Sequence, residues 1–317
     1  MIRRQVAFVL LPQVHLLDLA GPAQAFSSAD DLGWGYQLHF VGESARVPSA
    51  QGLGLEAATT WPDLGPSDLV LVPGFRARLL DDPGQVSTAT LDRLRAHHAA
   101  GGRVGSICAG AEVLGRAGLL DGRRCTTHHG VQAQLAARHP AARVQRDVLY
   151  AEDDRVLTSA GIASGIDLAL HLVATDHGPA AAAAVARDMV VYARRNGDAE
   201  QDSALLRHRN HLDDLVHRVQ DEIDRRFAEP LPLAELAARA PASTRTLHRA
   251  FVAATGLTPL AYQRRIRVEH ARAVLASGAT VEAAAAAAGY DDARQFRRVW
   301  RAETGTAPGQ AFARRPA

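Results

Sequence analysis

A cysteine closes a short apolar run in Ser106-Ile107-Cys108-Ala109-Gly110, and a helical pattern opens directly behind it. A thiol on a sharp strand-to-helix turn sits near the positive end of a helix dipole, which predicts a thiolate-prone group. Two further groups can approach it. Asp18 lies in Leu17-Asp18-Leu19-Ala20-Gly21-Pro22, behind the first apolar run, and His128 lies in Thr126-Thr127-His128-His129. A carboxyl beside a low-pKa cysteine can share its proton or act as acid and base. A cysteine in an apolar run is otherwise an inert packing residue. The strand–turn–helix setting reverses that reading for geometry and leaves activity open. Cys125 has no such setting and reads as buried packing.

The elements that must hold these residues follow from periodicity. Short apolar runs at 6–11, 36–41, 68–72, 103–107 and 156–159 read as strands. Helical patterns fall at 86–99, 111–117, 131–138, 164–173 and 180–194. Strand–helix alternation with continuously apolar strands predicts an α/β fold with a mostly parallel sheet, whose ligand site lies at the carboxyl ends of its strands. The polar stretch 196–202 reads as a linker, and from residue 211 onward the β signal is gone.

The last hundred residues hold a repeat. Thr244 to Pro259 aligns with Ala293 to Pro308 at an offset of 49: Arg245 meets Arg294, Leu247 meets Phe296, Arg249 meets Arg298, Phe251 meets Trp300 and Gly256 meets Gly305. The preceding helices, 233–240 and 281–288, align at an offset of 48. Each copy is a short helix, a tight turn and a longer Arg-bearing helix ending at glycine, the layout of a helix-turn-helix unit. Leu247 with Phe251, and Phe296 with Trp300, recur at i, i+4 and anchor the longer helix. Arg245, His248 and Arg249 lie off that stripe, as do Arg294, Gln295 and Arg298. Arginine reads guanine O6 and N7 and glutamine reads adenine N6 and N7, so these six are the DNA-binding candidates. For any one of them an ion pair on the helix surface is the ordinary alternative. Arg297, Arg301, Arg264, Arg265 and Arg267 are expected on phosphates or acidic neighbours. A linking helix over 260–276 would let the two units enter successive major grooves about 34 Å apart.

Residues 213–317 resemble the DNA-binding domain of AraC/XylS-type transcription regulators. The stretches from Ala271 to Leu275, Ala288 to Tyr290, Phe296 to Arg301 and Thr304 to Pro308 carry the likeness. Pro241 departs from it, standing where the first turn usually has glycine, and Trp300 replaces the usual phenylalanine. Residues 1–195 resemble the PfpI-like superfamily, which implies a flavodoxin-like fold of the class I glutamine-amidotransferase kind. The matching segments are Asp68 to Gly74, the Cys108 elbow, Gly118 to His128 and Leu157 to Gly161. In enzymes of that superfamily the elbow cysteine is nucleophile or base, assisted by an acid and sometimes a histidine. Asp18 and Cys108 match the acid–thiol pair. Ala109 stands where peptidases carry histidine and hydratase-like members threonine, which counts against both chemistries. The backbone amides of Gly74 and Ala109 would form the associated anion pocket.

The whole order resembles the GlxA group of bacterial transcription regulators, which implies a sequence-specific regulator of double-stranded DNA controlled by a small metabolite, often a nitrogen-containing one. The expected layout is a ligand-sensing and dimerisation domain over 1–195, a linker over 196–212 and a DNA-binding domain over 213–317. The expected pocket is Asp18, Gly74, Cys108, Ala109 and His128. The alternative is a Cys108-dependent hydrolase, hydratase or deglycase with secondary DNA binding, or a redox sensor.

Composition agrees with two globular domains. Of 317 residues, 47% are hydrophobic and 22% charged, too apolar for disorder. The net charge of +2 divides unevenly: residues 1–227 hold 23 Arg and 27 acidic residues, and residues 228–317 hold 13 Arg and 7 acidic residues. A basic C-terminal part predicts a polyanionic partner. Two cysteines cannot make a disulfide framework, and no Cys/His spacing fits a structural zinc site, so no metal or cofactor is expected. The start, Met1-Ile2-Arg3-Arg4 before an apolar run ending at Pro12, has a faint signal-peptide character but lacks a small-residue cleavage site and reads as a first strand. No stretch reaches the ~18 apolar residues of a membrane span. A cytoplasmic homodimer is expected.

Overall fold

The computed structural model describes residues 3–309 except 77, 79, 83, 84, 147, 162, 192–196, 198–207, 209, 210, 212 and 277. The chain divides into two compact units, residues 1–201 and 202–317. Most of the expected linker, 196–212, lies outside the described residues.

The first unit runs β1 (Arg4–Leu10), α1 (Leu16–Asp31), β2 (Tyr36–Gly42), β3 (Arg46–Pro48), β4 (Gly54–Glu56), β5 (Leu69–Val72), α2 (Thr88–Ala99), β6 (Arg103–Ile107), α3 (Ala111–Arg116), β7 (Arg124–Cys125), α4 (Gln132–Arg138), β8 (Arg143–Val144), β9 (Tyr150–Asp153), β10 (Val156–Ser159), α5 (Ser164–His177) and α6 (Pro179–Asp188). Six strands form one sheet in the order β2-β1-β5-β6-β10-β9, parallel except that β9 runs against β10. All five strands expected from the sequence lie in it. Successive side chains of β1 face opposite ways. Ala7, Val9 and Leu11 join a core with α2 and α3, while Val6, Phe8 and Leu10 join one with α1, α5 and α6. Helices on both faces explain why the inner strands β1 and β5 carry no polar alternation, whereas β2, at the sheet edge, keeps polar Gln37 and His39 between apolar neighbours. At the amino ends of the strands, buried Asp176 accepts from Arg4 (2.8 Å), Arg103 (3.0 Å) and the Tyr36 hydroxyl (2.9 Å), tying β1, β2 and β6 to α5. The opposite, carboxyl ends remain for a ligand.

The second unit is helical: α7 (Asp214–Arg225), α8 (Leu233–Arg239), α9 (Thr244–Thr255), α10 (Pro259–Ala276), α11 (Val281–Ala287) and α12 (Ala293–Thr304). It has two small cores. Val216, Val219, Ile223, Leu236, Leu247, Phe251, Tyr262 and Ile266 form one, and Val268, Ala271, Leu275, Ala284, Ala285, Phe296 and Trp300 form the other. The alanines of α11 are thus core residues, small enough for close helix packing. Ser243 and Asp292 cap α9 and α12 through their side chains, and both helices end at a left-handed glycine, Gly256 and Gly305, the usual start and stop chemistry.

The two turns differ where the sequence departs from the family pattern. After α11, the Tyr290 amide bonds to Ala285 O (2.9 Å) and Gly289 takes φ +76°. After α8, the Ala242 amide makes the matching bond to Ala237 O (3.2 Å), with Pro241 in the glycine's place. Proline has no amide hydrogen and holds φ negative, so the first turn keeps its outer closing bond without a left-handed residue. Among the described residues no helix is long and apolar enough to cross a membrane, and no three His, Cys, Asp or Glu side chains are grouped to hold a metal ion.

Candidate functional site

The turn after β6 places Cys108 at φ +54°, a left-handed conformation for a non-glycine residue, at the start of a single 3-10 turn, Cys108–Gly110. Such strain persists only when the surroundings over-determine it. Here they do so with glycines at the ends of neighbouring strands. A Cβ on Gly110 would lie 2.1 Å from Val72 O, one on Gly161 2.3 Å from Cys108 Cβ, and one on Gly74 2.7 Å from Cys108 Cβ and 2.3 Å from Asp18 Oδ2. The Thr127 hydroxyl donates to Cys108 O at 2.7 Å. Residues following β5, β6 and β10 therefore seat one thiol, and α1, following β1, brings Asp18 against it.

A cavity of about 170 Å³ opens there, lined by His15, Asp18, Phe75, Cys108, Ala109, His128 and Val131. A cavity of about 150 Å³ holds benzene, so the space suits a small molecule of roughly six to ten heavy atoms. Its walls are largely apolar, with the polar groups of Asp18, Cys108 and two histidines converging on it, the usual composition of a small-molecule site. Among the sequence candidates, Asp18, Cys108, Ala109 and His128 come together. Gly74 does not line the cavity; it lies against Asp18 and Cys108, and its carbonyl accepts from the His15 amide at 2.8 Å. His15, Phe75, Val131 and the seat provided by Gly161 were not singled out in the sequence. The only signal for His15 was its place three residues before Asp18.

The electrostatics correct one expectation. Cys108 is pushed up to about 12, first by burial and then by the negative charge of Asp18, against the smaller opposing pull of the Ala109 amide. The group is a protonated thiol at neutral pH, not the thiolate that the strand–helix turn alone predicts. Desolvation disfavours the charged form, and a three-residue 3-10 turn offers one amide where a long helix would offer several. His128 is held below its ordinary value, chiefly by burial and then by His129 and His15. Its Nδ1 accepts from the Gly130 amide at 3.1 Å, so the neutral ring carries its proton on Nε2 and presents a donor there. Cys125 is fully buried, and burial pushes its thiol up to about 11, as befits a packing residue.

In the second unit, Leu247, Phe251, Phe296 and Trp300 are fully buried. Arg245, His248 and Arg249 on α9, and Arg294, Gln295 and Arg298 on α12, are all exposed. The sequence stripe and the structural face coincide. Arg297 pairs with Glu282 at 2.6 Å and Arg265 with Glu303 at 3.5 Å, the acidic neighbours expected of them. Arg264, Gln295 and Arg298 line one groove between α10 and α12. Arg267 instead turns its donors to the backbone carbonyls of Phe227, Ala228, Glu229 and Gly289. A short exposed helix with buried aromatics behind and arginines in front is the arrangement that enters a major groove.

Comparison with known proteins agrees with both halves. Residues 4–175 match the DJ-1/PfpI family and residues 236–314 match a helix-turn-helix domain. Isonitrile hydratase from Pseudomonas putida is 38% identical over 174 residues, 53% of this chain and 70% of its own length. The HTH-type transcriptional regulator GbdR from Pseudomonas aeruginosa is 26% identical over 314 residues, 96% of this chain and 83% of its own length. The HTH-type transcriptional regulator GlxA from Rhizobium meliloti is 28% identical over 96% of this chain and 94% of its own. Among solved structures, an AraC family transcriptional regulator from Pseudomonas putida superposes with a TM-score of 0.52 at 27% identity, over 59% of this chain and 99% of that one. The chain belongs to the DJ-1/PfpI family and joins that flavodoxin-like domain to an AraC-type helix-turn-helix domain, the architecture of an HTH-type transcriptional regulator.

Proposed function

We propose that this protein is a sequence-specific DNA-binding transcription regulator whose DNA affinity is set by a small molecule held in the Cys108 cavity. The observation that carries the DNA half is the duplicated face, exposed Arg245, His248 and Arg249 on α9 and Arg294, Gln295 and Arg298 on α12, each backed by buried aromatic or aliphatic anchors. For the effector half, the support is the 170 Å³ cavity with Asp18, Cys108, Ala109 and His128 on its wall. The ligand shifts DNA binding only by its differential affinity for the two states. The first unit also dimerises in this reading, covering exposed Leu17, Leu32 and Leu53, and the protein works in the cytoplasm. The domain limits we assign are 1–195 and 213–317, joined by 196–212.

The test is fluorescence anisotropy on the gene's own upstream DNA and on a scrambled fragment, between 50 and 300 mM salt. Discrimination of about 10³-fold or more supports the regulator, and the salt slope counts its phosphate contacts. Equal weak binding across a genomic fragment library would sink it.

A second reading, turnover by Cys108, draws on the elbow geometry, the adjoining Asp18 and the likeness to a hydratase. Cys108→Ala separates the two: it abolishes turnover in an enzyme and spares DNA binding in a regulator. A peroxide sensor needs an accessible thiolate, and the protonated state of Cys108 counts against it.

A further inference from the structure

We propose that Arg267, with Gln263 and Gly289, fixes the relative placement of the two helix-turn-helix units and so sets the half-site spacing the protein accepts; this rests on the DNA-binding reading above. Arg267 stands on α10 where one small core ends and the other begins: Ile266 belongs to the first and Val268 to the second. Four of the five N–H groups of its guanidinium are accounted for. Nε donates to Phe227 O (2.6 Å), Nη2 to Ala228 O (3.0 Å) and Glu229 O (2.9 Å), and Nη1 to Gly289 O (3.0 Å). The first three carbonyls follow the end of α7, which belongs to the first small core, and the fourth lies in the turn of the second helix-turn-helix unit.

Neighbouring groups strengthen the same seam. Gln263, one turn earlier and buried, donates to Phe227 O (2.9 Å) and Glu229 O (2.7 Å). The guanidinium stacks on Tyr290 with 5.1 Å to the ring centre. Gly289 touches Ala228 so closely that a Cβ would lie 2.0 Å from its carbonyl oxygen. Carbonyls just beyond a helix end have no intrahelical partner and need donors from elsewhere. A planar cationic fork is the group that can serve three of them and reach a fourth across the seam. Arg267 therefore acts as a positioning residue, its donors spent inside the protein rather than on DNA.

The consequence is a rigid ruler. Two DNA-reading units on one chain gain affinity from linkage only when both can engage together, and a stiff connection makes that gain depend steeply on spacing. One inserted base pair rotates the second half-site by roughly 35° about the duplex. A seam held by one guanidinium resists that change; a loosened seam tolerates it at the cost of preorganisation.

The full-length wild-type chain is first used to select its site from a random duplex pool. Binding is then measured on that site, on the same site with one half scrambled, and on versions with one or two base pairs inserted. Arg267→Met is expected to lose on the order of ten-fold on the two-half site and less than about two-fold on the one-half site, with a smaller insertion penalty than wild type. Arg267→Lys, which keeps the charge and loses the fork, should lie between. Equal losses on both DNAs, or an unchanged insertion penalty, would overturn the proposal. So would loss of one-half-site binding in both variants, which would make Arg267 a folding residue. Failure of the wild type to select any sequence would instead overturn the regulator reading.

Discussion

The protonation state of Cys108 can be tested by its reactivity. With the thiol at about 12 against an ordinary 9.0, the thiolate fraction at pH 7.5 is lower by about a thousand-fold. The more basic thiolate is more nucleophilic, with a Brønsted coefficient of ~0.4–0.5, which returns about 15- to 30-fold. Carbamidomethylation of Cys108 should therefore run roughly 30- to 60-fold slower than that of an ordinary exposed thiol. The assay is iodoacetamide labelling in the Cys125→Ala background, followed by intact mass from pH 7 to 10. The rate should climb about ten-fold per pH unit without a plateau. Asp18→Asn removes the second-largest cause of the shift and the hydrogen bond but leaves burial, the largest, in place. Labelling should accelerate in that variant while staying slower than a free thiol. A wild-type rate equal to or above that of free cysteine, or a plateau near neutral pH, would refute this electrostatic account and restore the thiolate.

Other expectations follow from the same geometry. Gly161→Ala, at φ +104° and 2.3 Å from Cys108 Cβ, should cost about 2–4 kcal/mol in denaturant unfolding, from backbone strain plus overpacking. Phe296→Ala, fully buried in the second small core, should cost about 3–5 kcal/mol, seen as loss of helical signal at lower denaturant. Arg298→Ala should relax preference at one base pair by ~1–3 kcal/mol, whereas Arg264→Ala should weaken all sequences alike and reduce the salt slope by about 0.9; titrations on matched and mismatched DNA distinguish them. His97, buried with its pKa lowered from 6.5 chiefly by desolvation, gives stability that is complete above pH 6.5 and lost as pH falls below it. Tm should fall between pH 7 and 5.5, before carboxylates such as Glu43 and Glu152, held below 4.5, begin to titrate. His97→Gln should flatten that slope.

What the sequence made legible has a physical pattern. The inner strands β1 and β5 announced themselves because burial on both faces demands apolar runs. Edge strand β2 did so through the alternation of Gln37 and His39 with apolar residues, and β6 and β10 fall at the expected residues. The repeat was legible because Leu247 with Phe251 and Phe296 with Trp300 must recur one turn apart wherever a helix seals a small core. Helix α1 was not. It has Gly21 and Pro22 inside it, both buried, and two sides packed, so its helical periodicity is faint. With α1 unseen, His15 at its start had no place, though the fold sets it on the cavity wall beside Asp18.

Cys108 shows the same limit from the other side. Its position on a strand–helix turn is a local property, and the sequence carried it correctly. Its protonation is not local. The turn supplies one amide, while Gly74 and Gly161, from strands on either side of β6, close around the sulfur, and Asp18 arrives from a helix ninety residues earlier. Arg267 repeats the lesson in the second unit. As a basic residue between two Arg-rich helices it reads as a partner for phosphates or acidic neighbours, yet the carbonyls of Phe227, Ala228, Glu229 and Gly289 take its donors. In both cases the residue type states which chemistry is available, and the groups that folding brings from distant segments decide whether that chemistry faces a ligand or the protein itself.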